Sequence, residues 1–375
     1  MSNGNRAPAL TEFPRSNPSV ALPTAASRLA LLAQVASGNW LAFVWSSVPG
    51  VLLVVAAANG LVSESFALAL FALSFVGLNL MHMGATWARV YVRPGWRVNP
   101  TERLAVPIGL AAFALLFEAV GGGALLLAAQ YFLSFHHALM QNYGLVRASQ
   151  RRTARRVDPR LDLAACLLLP GAALLYRAGL VSDRYSGAPL PSVPLELVAG
   201  LAAAGVVALA AFGWREWRCH RAGGHVDPIG CGIFLGTNLM WSGMLVADPH
   251  PAMPLFALAS GHYAQYLYFV WQVEAGEARK AVPAAGGRER VQSALRSSWP
   301  VYLLVLLAMA GAVTLLLTFV SSGLRATAVW MHWRPDTALE LAPWAAAMIG
   351  VNLEHYWLDR RIWRSPRQPA LAAAT

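Results

Sequence analysis

Charged residues are what this 375-residue chain has least of: Asp, Glu, Lys and Arg together make up 13% of it, against roughly 25% in a soluble globular chain. With 57% hydrophobic residues and a mean hydropathy of +0.48, that scarcity excludes a water-soluble domain as the bulk of the protein. Cysteine is nearly absent too. Cys166, Cys219 and Cys231 are odd in number and lie in or beside apolar stretches, so they imply no disulfide framework. Residues 1–36 lack the short apolar run and cleavage site of a signal peptide and read as a polar, Pro/Ser-rich, disordered cytoplasmic tail. No Lys-Ser/Thr follows Gly121-Gly122-Gly123, so that run reads as a tight outer turn and not as a phosphate loop.

Acids are also scarce within the apolar stretches, where Glu118 lies at an outer edge and Glu354 sits beside a histidine. A proton relay or cation carrier normally shows several intramembrane carboxylates and broken helices in matched halves, and the sequence shows neither.

What the chain does have is a series of apolar windows, each about the 20 residues that a helix needs to cross a ~30 Å hydrocarbon core. They run near 40–62, 65–88, 104–119, 123–147, 161–180, 194–214, 228–247, 252–273, 299–320 and 337–359. The sequence therefore predicts an all-α fold, a polytopic integral membrane helical bundle of about ten transmembrane helices with both termini cytoplasmic. A single transmembrane domain would span 37–364, followed by a cytoplasmic tail at 365–375.

Basic residues test that topology. With the N-terminus inside, only Arg177, Arg184, Arg325 and Arg334 of the 29 lysines and arginines fall in outer segments, as the positive-inside rule requires. The same asymmetry accounts for the net charge of +11, because loops facing anionic headgroups gain from basic residues. The expected setting is a bacterial cytoplasmic (inner) membrane, with membrane lipids as surroundings and no nucleic-acid partner. The basic run Arg151, Arg152, Arg155, Arg156 follows a window directly and lacks interleaved aromatics. Trp87, Trp96, Tyr266, Trp271, Trp357 and Trp363 read as an aromatic belt at the cytoplasmic interface. Cys219, His220, His225 and Cys231 lie close together but fit no standard zinc spacing.

Five of the nine histidines, His82, His136, His137, His262 and His355, fall inside apolar windows, where an ionisable side chain is costly and marks a functional site by default. Their four windows share one direction. Counting back from the basic or polar flank of each at 1.5 Å per residue puts the histidines roughly 7 to 17 Å from the cytoplasmic interface. Polar residues accompany them at helical spacing. Asn79 precedes His82 by three residues, as Asn352 precedes His355, while Gln141 and Asp359 follow His137 and His355 by four, and Gln265 follows His262 by three. These amides and the carboxylate are expected to fix the histidine tautomers. His136 and His137 point about 100° apart on a helix, and His137, with Gln141 one turn on, is the one expected to face the site.

Neutral imidazoles suit iron, copper and zinc, whereas magnesium, calcium and manganese prefer oxygen. Non-haem iron is the expected cofactor, with haem, copper or zinc as alternatives. The expected function is a metal-dependent oxidoreductase of oxygenase, hydroxylase or desaturase type. It would act on a lipophilic small molecule reaching the site from the cytoplasmic leaflet, with an electron donor as partner. Tyr143 and Tyr266 would serve as proton donors, and Glu354 as ligand or base. The alternatives are a haem-binding membrane protein and a non-catalytic transporter or assembly factor.

Overall fold

The computed structural model describes residues 46–89, 100–152, 158–185, 193–224, 226–247, 253–281, 298–330 and 343–364, and every regular element among them is helical. Both expected tails, 1–36 and 365–375, lie outside the described residues. The first helices are α1 (Val48–Ala58), α2 (Glu64–Trp87), α3 (Pro100–Ala119), α4 (Gly123–Arg152), α5 (Pro159–Tyr185) and α6 (Leu195–Arg221). Next, α7 (Pro228–Leu235) runs through a π-helical turn (Gly236–Trp241) into α8 (Ser242–Ala247), and α9 (Met253–Ala281), α10 (Trp299–Trp330) and α11 (Pro343–Arg364) follow.

Local chemistry sets several of these boundaries. Ser63 caps α2 by accepting a hydrogen bond from the Phe66 amide at 3.2 Å, and Glu64 places a negative charge in the first turn. Between α3 and α4 the chain reverses through Gly121 at φ +87°, a conformation that costs glycine little. The π turn is held from inside: Asn238 donates to the carbonyls of Phe234 and Ala165, each at 3.0 Å, and Asn142 donates to Thr237 at 2.9 Å. Such turns within α-helices concentrate at functional sites.

Five described stretches are long and apolar enough to cross a membrane, which makes this a membrane protein by length and composition. They are Glu64–Trp87, Pro159–Gly179, Leu195–Arg221, Gly230–Ala247 and Trp299–Leu316. Val48–Ala58 and Ala105–Ala119 are apolar but shorter. Helices α4, α9 and α11 fall outside this set because they are interrupted by polar residues, among them Gln130, His137 and Gln141 on α4 and Asn352, His355 and Asp359 on α11. Large apolar side chains crowd the exposed faces of α6 (Leu197, Val206, Val207) and α10 (Leu304, Leu315, Phe319), an arrangement that soluble monomers avoid and lipid favours.

Helix pairs approach closely where small residues face them. A Cβ at Gly205 of α6 would stand 2.5 Å from the Leu169 amide nitrogen of α5, and one at Gly350 of α11 would stand 2.6 Å from the Leu110 carbonyl of α3. Small residues let membrane helices gain van der Waals contact that no hydrophobic effect supplies between them. Near their basic ends α4, α5 and α6 are tied by the buried Asp162, which pairs with Arg215 at 2.7 Å and accepts from Gln150 at 2.9 Å. Helix α2 packs against α9, α10 and α11, and α4 packs against α9 and α11, so α2, α4, α9 and α11 enclose a common interior.

Candidate metal centre

Each of those four helices brings one histidine to the interior. His82 (α2), His137 (α4), His262 (α9) and His355 (α11) are all buried, whereas His136 is on the exposed face of α4. The His82 ring centroid lies 4.3 Å from that of His355, 5.1 Å from His262 and 6.1 Å from His137. The His137 ring is 4.9 Å from His355 and 5.3 Å from His262. One ligand atom from each of His82, His137, His355 and Asp359 lies within 4.8 Å of the others, close enough to hold a metal ion.

Asp359 is the anchor of this group. Its Oδ2 lies 3.7 Å from Nε2 of both His137 and His355, too far for a hydrogen bond and suited to a shared ion. Its Oδ1 is occupied, accepting from the Tyr266 hydroxyl at 2.9 Å and from Thr86 Oγ1 at 3.1 Å, with those two hydroxyls 2.8 Å apart. The carboxylate is thus held by one oxygen and presents the other to the histidines. Thr86, Gln141, Tyr266 and Asp359 each stand four residues after the histidine of their own helix, so helical spacing puts all four one turn beyond the imidazoles.

The donor atoms are left without protein partners. Both ring nitrogens of His82, His262 and His355, together with His137 Nε2 and Asp359 Oδ2, are buried with no hydrogen bond. A buried polar atom left unpaired costs about 1–3 kcal/mol, so the four ligand atoms that one ion could take, one per residue, are costly to leave unmatched. A cation among them would offset that cost, and imidazole with carboxylate is the donor chemistry of a divalent transition metal. The residues present therefore fit a metal ion.

Several expected partners stand elsewhere. Gln141 donates to the main-chain carbonyl of His262 at 3.4 Å and not to an imidazole. Asn79 is buried on the wall of the cavity described below, and Gln265 is buried. No ring nitrogen of His82, His262 or His355 is held by Asn79, Asn352, Gln141 or Gln265. Tyr143 reaches the Pro159 carbonyl at 3.4 Å, outside the cluster. Glu354 accepts from Trp87 Nε1 at 3.2 Å, which turns its carboxylate away from the histidines. Trp87 and Tyr266, two of the aromatics expected in an interfacial belt, are buried inside the bundle. His225 and Trp96 lie outside the described residues, and the only His/Cys/acid group of metal-binding geometry among the described residues is the one containing Asp359.

A cavity of about 240 Å³ adjoins the cluster. Besides the four histidines, its lining on three helices comes mostly from the N-terminal side: Asn79 before His82, Leu127, Gln130, Ser134 and Phe135 before His137, and Leu255, Leu258 and Ala259 before His262, with Tyr356 beside His355 on α11 and Trp241 of the π turn. The sequence suggests access from the basic, C-terminal ends of these helices. The cavity instead extends the other way, because Thr86, Gln141, Tyr266 and Asp359 fill the space beyond the imidazoles, and the buried pair Arg89–Glu274 (3.5 Å) lies past them. The wall residues Gln130 and Ser134 escaped sequence reading, although they precede His137 by seven and three residues and so share its face. No protein-family model, no curated protein and no solved structure matches this chain.

Proposed function

We propose that this chain is a metal-dependent oxidoreductase of the membrane, with non-haem iron held by His82, His137, His355 and Asp359 and a lipophilic small molecule as substrate. The observation that carries the reading is the convergence of four buried ligand atoms, one each from His82, His137, His355 and Asp359, within 4.8 Å of one another. Histidines with one carboxylate are the donor set of non-haem iron oxygenases, and the adjoining apolar cavity leaves room for a substrate beside the ion. Iron in such a site supplies the activation of dioxygen, so that C–H hydroxylation takes O₂, two electrons and two protons and yields an alcohol and one water. The electrons come from a separate donor, which we assign to the cytoplasmic face.

The residues around the site do the rest. Thr86 and Tyr266 orient the carboxylate, and the apolar cavity wall with the buried layer beyond Asp359 excludes bulk water. Among the described residues the cavity lining contains no Asp or Glu, which favours redox chemistry over hydrolysis that needs a free carboxylate base. A haem fits less well. Bis-histidine ligation sets a planar macrocycle between two rings, while the imidazoles here touch one another and the cavity is below the ~300 Å³ of drug-sized pockets. The charge asymmetry further supports ten spans with both termini cytoplasmic.

Metal analysis of protein purified in mild detergent tests the reading. Near-stoichiometric iron is expected in the wild type and loss of it in His355→Ala and Asp359→Ala. A wild-type protein free of redox metal after reconstitution with iron overturns the reading.

A further inference from the structure

The cavity has a polar end that the metal reading does not use. Gln130 and Ser134 lie one turn apart on α4, and Tyr356 comes from α11 beside His355. Gln130 Nε2 donates to Ser134 Oγ at 2.8 Å and to the Tyr356 hydroxyl at 2.9 Å, and those two hydroxyls are 2.6 Å apart. Such a trio in an apolar wall needs an accounting of its hydrogens.

The amide nitrogen carries two hydrogens and the two hydroxyls carry one each. The two contacts from Gln130 take both amide hydrogens, and the contact between Ser134 and Tyr356 takes one hydroxyl hydrogen. One hydroxyl hydrogen is left to donate. On the accepting side, Gln130 Oε1 is enclosed with no surface open to the cavity, whereas the two hydroxyl oxygens have four lone pairs, of which these contacts use three. The trio therefore offers one hydroxyl hydrogen and one hydroxyl lone pair at the edge of the cavity that all three residues line.

The group that matches one donor with one acceptor, without adding a charge to an apolar pocket, is a hydroxyl. An ether or ketone leaves the hydroxyl lone pair unpaired, and an alkane leaves both sites empty. Beyond the trio, Leu127, Phe135, Trp241, Leu255 and Leu258 give walls that suit hydrocarbon, while Asn79 and the four histidines line the side at the candidate metal centre. At about 30 Å³ for each water-sized unit, 240 Å³ accommodates on the order of eight non-hydrogen atoms. Tyr356 stacks on His137 with ring centroids 4.5 Å apart and planes at 26°, so a molecule held by the trio has its oxygen one ring away from the candidate metal centre.

We propose that this cavity binds an aliphatic alcohol, with its hydroxyl between Gln130, Ser134 and Tyr356 and about eight non-hydrogen atoms inside the protein. The same chemistry is offered by a whole medium-chain alcohol and by the hydroxylated end of a longer lipid. Binding itself is independent of the metal; that the bound alcohol is the substrate rests on the function proposed above.

The test is thermal unfolding of the full-length protein in detergent, titrated with 1-octanol, n-octane and 1-hexadecanol, with iron content measured on the same samples. In the wild type, 1-octanol should raise the unfolding temperature saturably and n-octane should not. Gln130→Leu should weaken the octanol response by about tenfold or more while leaving iron content unchanged. Ser134→Ala, a smaller change with the same expected direction, decides the matter if Gln130→Leu does not fold. Retention of the response with 1-hexadecanol identifies a chain end as the occupant, and its loss identifies a short alcohol; both support the site. Equal responses to octanol and octane, or equal octanol responses in wild type and variants, overturn the proposal and mean that the trio holds at most water. Alcohol discrimination in an iron-free protein keeps this site and removes the oxidoreductase reading, and iron without alcohol discrimination does the reverse.

Discussion

Tyr266, one turn beyond His262, donates a 2.9 Å hydrogen bond to Oδ1 of Asp359, which is one turn beyond His355. The contact links α9 to α11 beneath the imidazoles and leaves the other carboxylate oxygen turned toward His137 and His355. A carboxylate tethered in this way loses less freedom when a metal binds, which is how hydrogen-bonded outer partners raise affinity.

Removing the tether should therefore weaken the metal without abolishing it. Tyr266→Phe and Thr86→Val each delete one hydroxyl from Asp359 Oδ1. Each is expected to lower iron affinity by about 10–100-fold, measured by competition with a chelator of known strength. Unchanged affinity in both variants would show that the carboxylate needs no positioning.

The adjacent histidines of α4 should behave oppositely. His136→Ala alters an exposed side chain and is expected to keep the metal, whereas His137→Ala removes one of the four converging donors and is expected to lose it. Elemental analysis of the two variants decides between this register and one rotated by a single residue.

Chelation should loosen the bundle. The donors come from α2, α4 and α11, so a bound ion cross-links three helices that otherwise bury unpaired nitrogens. A ligand at about 100 times its dissociation constant adds about 2.7 kcal/mol of stability. Stripping the metal is expected to lower the unfolding temperature by several degrees and re-addition of iron to restore it, while His355→Ala should show neither change.

Topology is tested by reporter fusions. Fusions after Arg156 and at the C-terminus should report the cytoplasm, as the placement of basic residues requires. A reporter exported from either position removes the ten-span arrangement.

Much of the site was legible in the sequence because helical spacing alone relates a histidine to its polar neighbours. The rings of His82, His137, His262 and His355 lie together in the interior, and Asp359 is close by. Its role differs from the expected one, since sequence spacing cannot say whether a carboxylate one turn away holds an imidazole nitrogen or stands beside it as a fellow donor. Thr86 and Tyr356 were passed over because a hydroxyl among apolar residues carries little signal until its partner on another helix is known. Glu354 shows the converse: adjacent to His355 in sequence, it is carried by the 100° step of the helix to Trp87. Ten apolar windows could be read, but α4, α9 and α11 are the less apolar helices because they carry the polar interior.

Thr86 and Asp359 bond across 273 residues of sequence, and the donor set is similarly split between an early helix and the last described one. During synthesis α2 enters the bilayer long before α11 is made, so His82 waits with its ring nitrogens unmatched while the intervening helices are inserted. Neither His355 nor Asp359 exists in a chain released before α11, although all five long apolar stretches do. Such a chain would carry every long apolar stretch and yet lack two of the four residues proposed to hold the ion. If the proposed ion is bound, its capture would mark a chain whose translation and insertion are both complete, and would distinguish finished molecules from fragments that carry the same apolar stretches.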